Sequence, residues 1–175
     1  MSPYFLGFVG HSGSGKTTLI EKVIKIFAQK GKKIGAVKHD AHTFEIDYPG
    51  KDSYKMKHAG AHRMVISAKD KFALVEDREF EMPFDDLKGL FRDCDIVFVE
   101  GYKIWDIPKI EVHRKDTNSE YLIKNGVKNI VLVVTDELDR SFDVPVLFID
   151  DIDGVVNFIE HIEHKFRMKS EHTAD

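Results

Sequence analysis

The sequence predicts an α/β domain: a three-layer sandwich in which helices flank a mostly parallel central β-sheet, with one inserted β-hairpin. Apolar runs of strand length alternate with segments whose apolar residues recur at helical spacing. Two of these runs, residues 96–99 and, after Asn129, the rest of the predicted strand 129–134, are continuously apolar, as are strands buried on both faces of a parallel sheet. A third observation is a glycine-rich segment, residues 10–18, between the first strand and the first helix.

The length and composition of the chain fit one domain. It has 175 residues, of which 42% are hydrophobic and 32% charged, and we assign residues 1–168 to a single domain and residues 169–175 to a frayed tail. The formal net charge of −4 lacks the basic excess typical of nucleic-acid or membrane binding, so neither partner is expected. The single cysteine, Cys94, excludes an internal disulfide, and the first residues show no signal-peptide pattern. We therefore expect a cytoplasmic protein.

Residues 10–18 are predicted to form a phosphate-binding loop, or P-loop. They fit the pattern G-x-x-x-x-G-K-[ST], between a strand over residues 4–9 and a helix that begins near Lys16. Glycines let backbone N–H groups converge on one anion, and the helix N-terminus and the Lys16 ammonium add positive charge. Thr17 is placed to bring its hydroxyl to the Mg²⁺ that accompanies a nucleotide. The predicted nucleotide-binding residues of this P-loop NTPase domain are Gly10, His11, Ser12, Gly13, Ser14, Gly15, Lys16, Thr17 and Thr18.

The first half of the chain continues with a second strand, a loop and a short helix. Gly31 is placed to cap the first helix, because glycine readily takes the left-handed conformation that ends helices. A strand over 34–37 follows, and Lys38 ends it at the P-loop edge of the sheet if the crossover is parallel and right-handed. The alternation in residues 43–47 fits either a short strand or a loop over the site. A helix is predicted over 52–60.

The second half begins with an insertion into the strand–helix alternation. Residues 63–68 and 71–76 flank a two-residue turn and predict a β-hairpin, a candidate edge, arm or dimer contact. The later elements are a helix over 83–91, strands over 96–99, 109–114, 129–134 and 146–149, and a final amphipathic helix over 154–168.

Glu100 is the predicted metal-site carboxylate. It directly follows the strand 96–99, at the carboxyl end where P-loop proteins hold Mg²⁺ directly or through water. His39 and His42 lie in the loop that faces the phosphates, where they either donate to phosphate or a second substrate or have only a local role. His58 and His62 lack an obvious third ligand, which favours solvated or hydrogen-bonded histidines over a metal site.

These motifs together resemble the MobB family, the molybdopterin-guanine dinucleotide biosynthesis proteins B, over nearly the whole chain. The P-loop alone is shared with many enzymes, so the resemblance rests on its spaced combination with other segments. These are residues 37–40 (VKHD) with His42 and Asp47, 50–54 (GKDSY) leading to 59–61 (AGA), 99–103 (VEGYK), and 108–111 (PKIE).

The layout is also similar to that of dethiobiotin synthetase, and this likeness implies roles for residues at the strand ends. It implies that Lys38 contacts phosphate and that Thr17, Glu100, and Asp52 or Asp47 surround the metal. Which of the two aspartates is nearer the metal stays open.

For hydrolysis, charge neutralisation by Lys16, Lys38 and Mg²⁺ is expected to matter more than any single base. Asp47 and Asp40 are the candidates for orienting water.

The family resemblance implies a GTP-binding accessory protein that helps the nucleotidyltransferase MobA attach GMP to molybdopterin. It also implies a homodimer with weak GTPase activity, and molybdopterin or its guanine dinucleotide as a further ligand. Guanine preference comes from the resemblance alone, because the chain lacks an Asn-Lys-x-Asp signature and has only Val134-Thr135-Asp136 at the expected strand end. Asp136 is the residue we predict to accept a hydrogen bond from the base.

Two other functions fit parts of the sequence. A small-molecule kinase or ligase of the dethiobiotin synthetase type would transfer phosphate to an acceptor near Lys38 and His39. A metal-delivery GTPase is supported only by the scattered histidines.

Overall fold

A computed structural model describes residues 2–40 and 44–172 of the protein. Six parallel strands form the main sheet, and two antiparallel strands form a separate hairpin. In chain order the strands are β1 (Tyr4–Val9), β2 (Ile34–Lys38), β3 (Arg63–Ser67), β4 (Phe72–Glu76), β5 (Ile96–Glu100), β6 (Lys109–His113), β7 (Ile130–Thr135) and β8 (Val146–Phe148). The order across the main sheet is β2-β5-β1-β6-β7-β8, and the hairpin is β3-β4.

The described residues also form four α-helices and one 3₁₀ turn. They are α1 (Lys16–Gln29), α2 (Asp52–His58), α3 (Phe84–Gly89), the 3₁₀ turn Lys115–Thr117, and α4 (Ile152–His172). The predicted α/β class, with a parallel central sheet and an inserted hairpin, is therefore confirmed.

Helices α1 and α4 pack against one face of the sheet. Leu19 and Val23 of α1 and Ile159 of α4 share a buried cluster with Phe8 and Val112 of the strands. The opposite face is covered partly by irregular segments, where Tyr121 and Leu122 pack against Val9 and Val133. Both faces of β1 are therefore buried, which explains why its six residues contain no charged side chain.

The position of β1 determines where the P-loop lies. β1 pairs with β5 on one side and β6 on the other, and its last residue is followed directly by Gly10. Because all three strands run parallel, their carboxyl ends meet at the edge of the sheet where the P-loop begins. Side chains that follow β5 and β6 are thus brought to either side of this loop.

The chain forms two compact units. The first contains the residues up to His39 and from Lys88 onward, with the six-stranded sheet, and the second is Asp40–Leu87, with α2 and the hairpin. Within the second unit, Val65 lies opposite Leu74 and Met64 opposite Val75. The hairpin matches the sequence prediction, and the assignment of residues 1–168 to a single domain stays a prediction.

Several boundaries differ from the sequence prediction. Residues 44–46 have no regular secondary structure, so this part of the segment 43–47 is a loop, and Thr43 lies outside the described residues. Helix α4 begins before the predicted residue 154 and continues to His172, into the segment predicted to be frayed. The Asp151 carboxylate accepts a hydrogen bond from the Gly154 amide (2.9 Å) and so caps the first turn, a signal that favours the earlier start. None of the helices in the described part of the chain has the length and apolar character needed to cross a membrane.

Candidate functional site

At several positions, the P-loop backbone adopts a conformation that only glycine takes without strain. Gly13 and Gly15 have φ values of 78° and 89°, in the left-handed region. A Cβ added to Gly10 would lie 2.2 Å from the Val112 carbonyl oxygen of β6, so the loop leaves the sheet against its neighbouring strand. Among the described residues, the buried Ser14 hydroxyl and His11 Nε2 have no hydrogen-bond partner. The loop therefore contains polar atoms that its own fold leaves unsatisfied.

Lys16 closes the loop on itself. Its Nζ donates a hydrogen bond to the His11 carbonyl oxygen at 2.8 Å. Burial lowers the pKa of this ammonium, and the nearby charge of Glu100 opposes that effect, whereas Lys103 and Lys38 lower the pKa further. A half-buried ammonium with two further cations nearby is an environment that an anion would stabilise. This arrangement fits the phosphate-binding role predicted for Lys16.

Thr17 and Glu100 meet beside the loop. The Thr17 hydroxyl donates hydrogen bonds to both Glu100 carboxylate oxygens, at 2.9 Å and 3.1 Å. Thr17 is exposed and Glu100 half-buried, so ligands can reach both. Mg²⁺ prefers hard oxygen ligands and binds through one or two protein groups together with phosphates and water. The chemistry of this donor pair therefore fits Mg²⁺, and the structure brings together two of the residues predicted to surround it.

The strand register fixes Glu100 and brings Lys38 alongside it. Lys38 is the register partner of Glu100 in β2, and Phe8 is its partner in β1. Backbone hydrogen bonds continue the pairing, from the His39 amide to the Glu100 carbonyl at 2.9 Å and from the Gly101 amide to the Phe8 carbonyl at 3.1 Å. The Lys38 side chain is exposed. The predicted grouping of Lys16, Thr17, Lys38 and Glu100 at one edge is therefore present.

The turn after Glu100 places an aromatic cluster next to this edge. Gly101 has φ 95°, and a Cβ there would lie 2.9 Å from the Cβ of His39. Tyr102 then stacks between the His39 ring, at 4.2 Å, and the Trp105 ring, at 3.4 Å between centroids. His39, predicted to face the site, is thus packed against an aromatic ring, while His42 lies outside the described residues.

Asp136 follows β7 at the same edge of the sheet. It is half-buried, and its Oδ1 accepts a hydrogen bond from the Lys115 amide at 2.9 Å. This contact holds the loops after β6 and β7 together and gives Asp136 a structural role. Its predicted role as an acceptor for the guanine base stays a prediction.

Asp47 and Asp52 belong to the second unit. A hydrogen bond from Ser53 and one from the Tyr48 amide lower the pKa of Asp47, which favours its carboxylate form. Asp52 opens α2 and lies 3.3 Å from the Lys55 ammonium. Their predicted roles near the metal or the attacking water, like that of Asp40, stay predictions.

The histidines of the second unit show local contacts. His58 stacks on Tyr54 at 3.7 Å between ring centroids, and its Nδ1 lies 2.9 Å from the Tyr54 carbonyl oxygen. Within residues 2–40 and 44–172, no group of three or more His, Cys, Asp or Glu side chains is arranged to hold a metal ion.

Sequence reasoning assigned no role to two cations near the P-loop. Lys103 is close enough to lower the pKa of Lys16, and Arg114 lies against Gly15 at the start of α1. Both residues follow strands that are adjacent to β1, the strand that precedes the P-loop. The signal that could have identified them is this position, just beyond the end of such a strand.

Comparison with known proteins gives a consistent family. The model of the family described as molybdopterin guanine dinucleotide synthesis protein B matches residues 5–136. The molybdopterin-guanine dinucleotide biosynthesis adapter protein of Haemophilus influenzae is 33% identical over 163 residues, covering 92% of this chain and 90% of the relative. The adapter protein of Escherichia coli K12 is 31% identical over 160 residues, covering 88% and 90%.

A solved structure has the same fold. The crystal structure of a MobB protein homolog from Bacillus stearothermophilus superposes with a TM-score of 0.72 at 24% identity, covering 92% of this chain and 98% of that one. The predicted family resemblance is confirmed.

Proposed function

The chain belongs to the molybdopterin guanine dinucleotide synthesis protein B family, and from this premise we propose that it is a GTP-binding adapter in molybdenum cofactor biosynthesis. In this role it binds GTP with Mg²⁺ and assists the nucleotidyltransferase MobA, which attaches GMP to molybdopterin. Two similar proteins carry the name molybdopterin-guanine dinucleotide biosynthesis adapter protein. We place the protein in the cytoplasm, as expected from its sequence.

One observation carries the proposal: the contact of Thr17 and Glu100 beside Lys16. A P-loop threonine and a carboxylate from the neighbouring strand are the two protein groups that P-loop proteins use to hold a nucleotide-bound magnesium ion. Mg²⁺ supplies charge neutralisation to the phosphates when it is bound. Lys16 and Lys38 add positive charge at the same edge. The site is thus suited to a nucleoside triphosphate.

GTP hydrolysis at this site would be slow. Lys16 and Lys38 can stabilise the charge that develops as water attacks the γ-phosphorus and the bond to the β–γ bridging oxygen breaks. Asp40 and Asp47 remain the candidates for orienting this water. Slow turnover suits an adapter, since the bound triphosphate would persist while the partner enzyme acts.

We further propose that the protein is a homodimer formed through the hairpin. One hairpin face carries an apolar patch of Val65, Leu74 and Phe72, and these side chains are between 49% and 75% exposed. The opposite hairpin face, with Met64 and Val75, lines a cavity of about 420 Å³ within the second unit. A two-stranded hairpin with an exposed apolar patch would be stabilised by covering that patch, and a second copy offers a matching surface.

Reconstitution tests the adapter proposal. Purified MobA, molybdopterin, GTP and Mg²⁺ would be combined with the wild-type chain, with Lys16→Ala, or with no adapter, and formation of the guanine dinucleotide would be followed. We expect the wild type to increase the yield or rate and Lys16→Ala to lose this effect. Equal product in all three reactions would contradict the adapter role. Rapid turnover stimulated by a small carboxylate or alcohol alone would instead indicate a kinase or ligase.

A further inference from the structure

Arg114 is a cation placed directly against the P-loop. If Gly15 carried a Cβ, that atom would lie 3.3 Å from Arg114 Nε and 3.8 Å from Nη2. The guanidinium therefore approaches the residue that immediately precedes α1. Gly15 has φ 89°, a left-handed backbone conformation that favours glycine.

Strand alternation explains why Arg114 points to this side. Ile110 and Val112 of β6 pack in the core with α1, whereas Glu111 lies on the opposite face, where it accepts hydrogen bonds from the Leu122 and Ile123 amides. Arg114 continues the extended backbone beyond β6, with φ −130° and ψ 138°. Two residues after Val112, it therefore projects to the α1 side, just past the edge of the sheet.

The guanidinium is half-buried and has no protein anion beside it. Among the described residues, no hydrogen bond or ion pair involves its nitrogen atoms, whereas its backbone carbonyl accepts hydrogen bonds from the Thr117 amide and hydroxyl. Two other arginines of the same unit are paired, since Arg140 binds Glu137 and Arg167 binds Glu163. An unpaired guanidinium at a P-loop is an arrangement that a phosphate would complete, since its planar fork matches phosphate oxygens.

Position relative to the metal pair suggests which phosphates it serves. The strand order β5-β1-β6 places Glu100 and Arg114 on opposite sides of the P-loop strand. Mg²⁺ in P-loop proteins bridges the β- and γ-phosphates. A cation on the other side, at the N-terminus of α1, would face the part of the polyphosphate that GDP and GTP share.

We propose that Arg114 binds the α- or β-phosphate of the nucleotide and so supports GDP and GTP binding equally, independently of Mg²⁺. This rests on the proposed nucleotide binding at the P-loop. It makes Arg114 a binding residue of the site, distinct from a residue that acts only on the γ-phosphate during hydrolysis.

The test compares four proteins: wild type, Arg114→Ala, Arg114→Lys, and Arg92→Ala as a matched control. Arg92 is an exposed arginine of the same unit, located before β5 at the other edge of the sheet. Dissociation constants for fluorescent N-methylanthraniloyl GDP and GTP would be measured with Mg²⁺ and with EDTA. Thermal unfolding without nucleotide would show that each variant is folded.

We expect Arg114→Ala to weaken both nucleotides by roughly tenfold or more, by a similar factor with Mg²⁺ and with EDTA. Arg114→Lys should recover part of the loss, because it restores charge without the planar fork, and Arg92→Ala should match the wild type. If Arg114→Ala does not fold, the same comparison is made with Arg114→Lys, for which a loss below twofold for both nucleotides overturns the proposal.

Binding within twofold of the wild type by folded Arg114→Ala would overturn the proposal, as would a loss confined to GTP with Mg²⁺ or to the hydrolysis rate. These results would leave the GTP-binding function standing, provided that the wild type binds. Absence of nucleotide binding by the wild type would overturn both.

Discussion

The two compact units of this chain differ in where their apolar side chains lie. Nearly all buried hydrophobic residues belong to the first unit, around the six-stranded sheet. The second unit exposes many large apolar side chains, among them Phe44, Tyr48, Phe72 and Phe80. The first unit thus has its own core and presents a polar edge for a ligand. The second has little buried core, and we infer that it is the unit through which the protein binds other chains.

The largest expected difference between the two units is in how much their ion pairs contribute to the free energy of unfolding. Glu163, whose side chain is 4% exposed, binds Lys32 at 3.0 Å and Arg167 at 2.7 Å in the first unit. Replacing Glu163 with Ala leaves two cations without this anion, and we expect a loss of about 3 kcal/mol in the free energy of unfolding. Glu76→Ala, which removes the partner of the exposed Arg63 and Arg78 side chains in the second unit, should barely change it. Denaturant titration of both variants measures this, and equal effects would contradict the difference between the units.

Charge on the exposed hairpin face should dissociate the dimer and leave nucleotide binding intact. Leu74→Asp places a carboxylate in the proposed interface, and we expect the dimer dissociation constant to rise roughly 100-fold. Sedimentation equilibrium measures this change. Leu90→Asp, at a residue of the first unit that is 66% exposed, is the matched control and should remain dimeric. A monomeric wild type, or a Leu74→Asp dimer as tight as the wild type, would refute the assignment of the interface.

Glu100→Gln should affect the metal without affecting the P-loop itself. The variant keeps the size and a hydrogen-bond acceptor for Thr17 but loses the negative charge. We expect Mg²⁺ to enhance GTP affinity about tenfold less than in the wild type, with unchanged GDP binding in EDTA. Nucleotide titrations across Mg²⁺ concentrations measure this, with Glu21→Gln on α1 as a control. An unchanged Mg²⁺ dependence would exclude Glu100 from the metal site.

Lowering the pH should change the stability of the two units in opposite directions, and this is the smallest of the expected effects. Burial raises the pKa of Glu111 in the first unit, so its contribution to stability is present below the unfolded pKa and is lost as pH rises through the folded one. Hydrogen bonds from Arg63 and Lys57 lower the pKa values of Glu76 and Asp77 in the second unit, so their contribution is lost as pH falls.

Hydrogen exchange between pH 7 and pH 3, corrected for the intrinsic rate, would detect this. Protection of the β3 and β4 amides should fall before that of the β1 amides. The free energy of unfolding of the wild type relative to Glu111→Gln should rise as pH falls towards 4.5. The reverse order would show that these carboxylates do not govern the acid response.

The sequence predicted the first unit better than the second. β1 and the first four residues of β5 are continuously apolar because both faces of these strands are buried. The P-loop pattern directly specifies the strand before it and the helix after it. Glu100 was found because the carboxyl ends of parallel strands meet at one edge. Arg114 was not identified because the role proposed for it depends on the alternation of β6 and on its approach to Gly15, which involve residues far apart in sequence.

The division into two units could not be predicted from local pattern. The hairpin was found from its alternation and turn, but both of its faces carry apolar side chains. Such side chains look the same in sequence whether they are buried in their own fold or against another chain. The surroundings of Asp47 and Asp52 likewise do not follow from the sequence, since spacing along the chain does not determine which residues lie near them in space.

Calorimetric titration of GTP into the wild type and Lys16→Ala, with and without Mg²⁺, tests the central claim most directly. Lys25→Ala, at an exposed residue of the same helix, is the control. We expect the wild type and Lys25→Ala to bind one GTP per chain more tightly with Mg²⁺, and Lys16→Ala to bind at least about 100-fold more weakly. Absence of Mg²⁺-dependent GTP binding by the wild type, or equal binding by Lys16→Ala, would contradict the assignment of this edge as a GTP site.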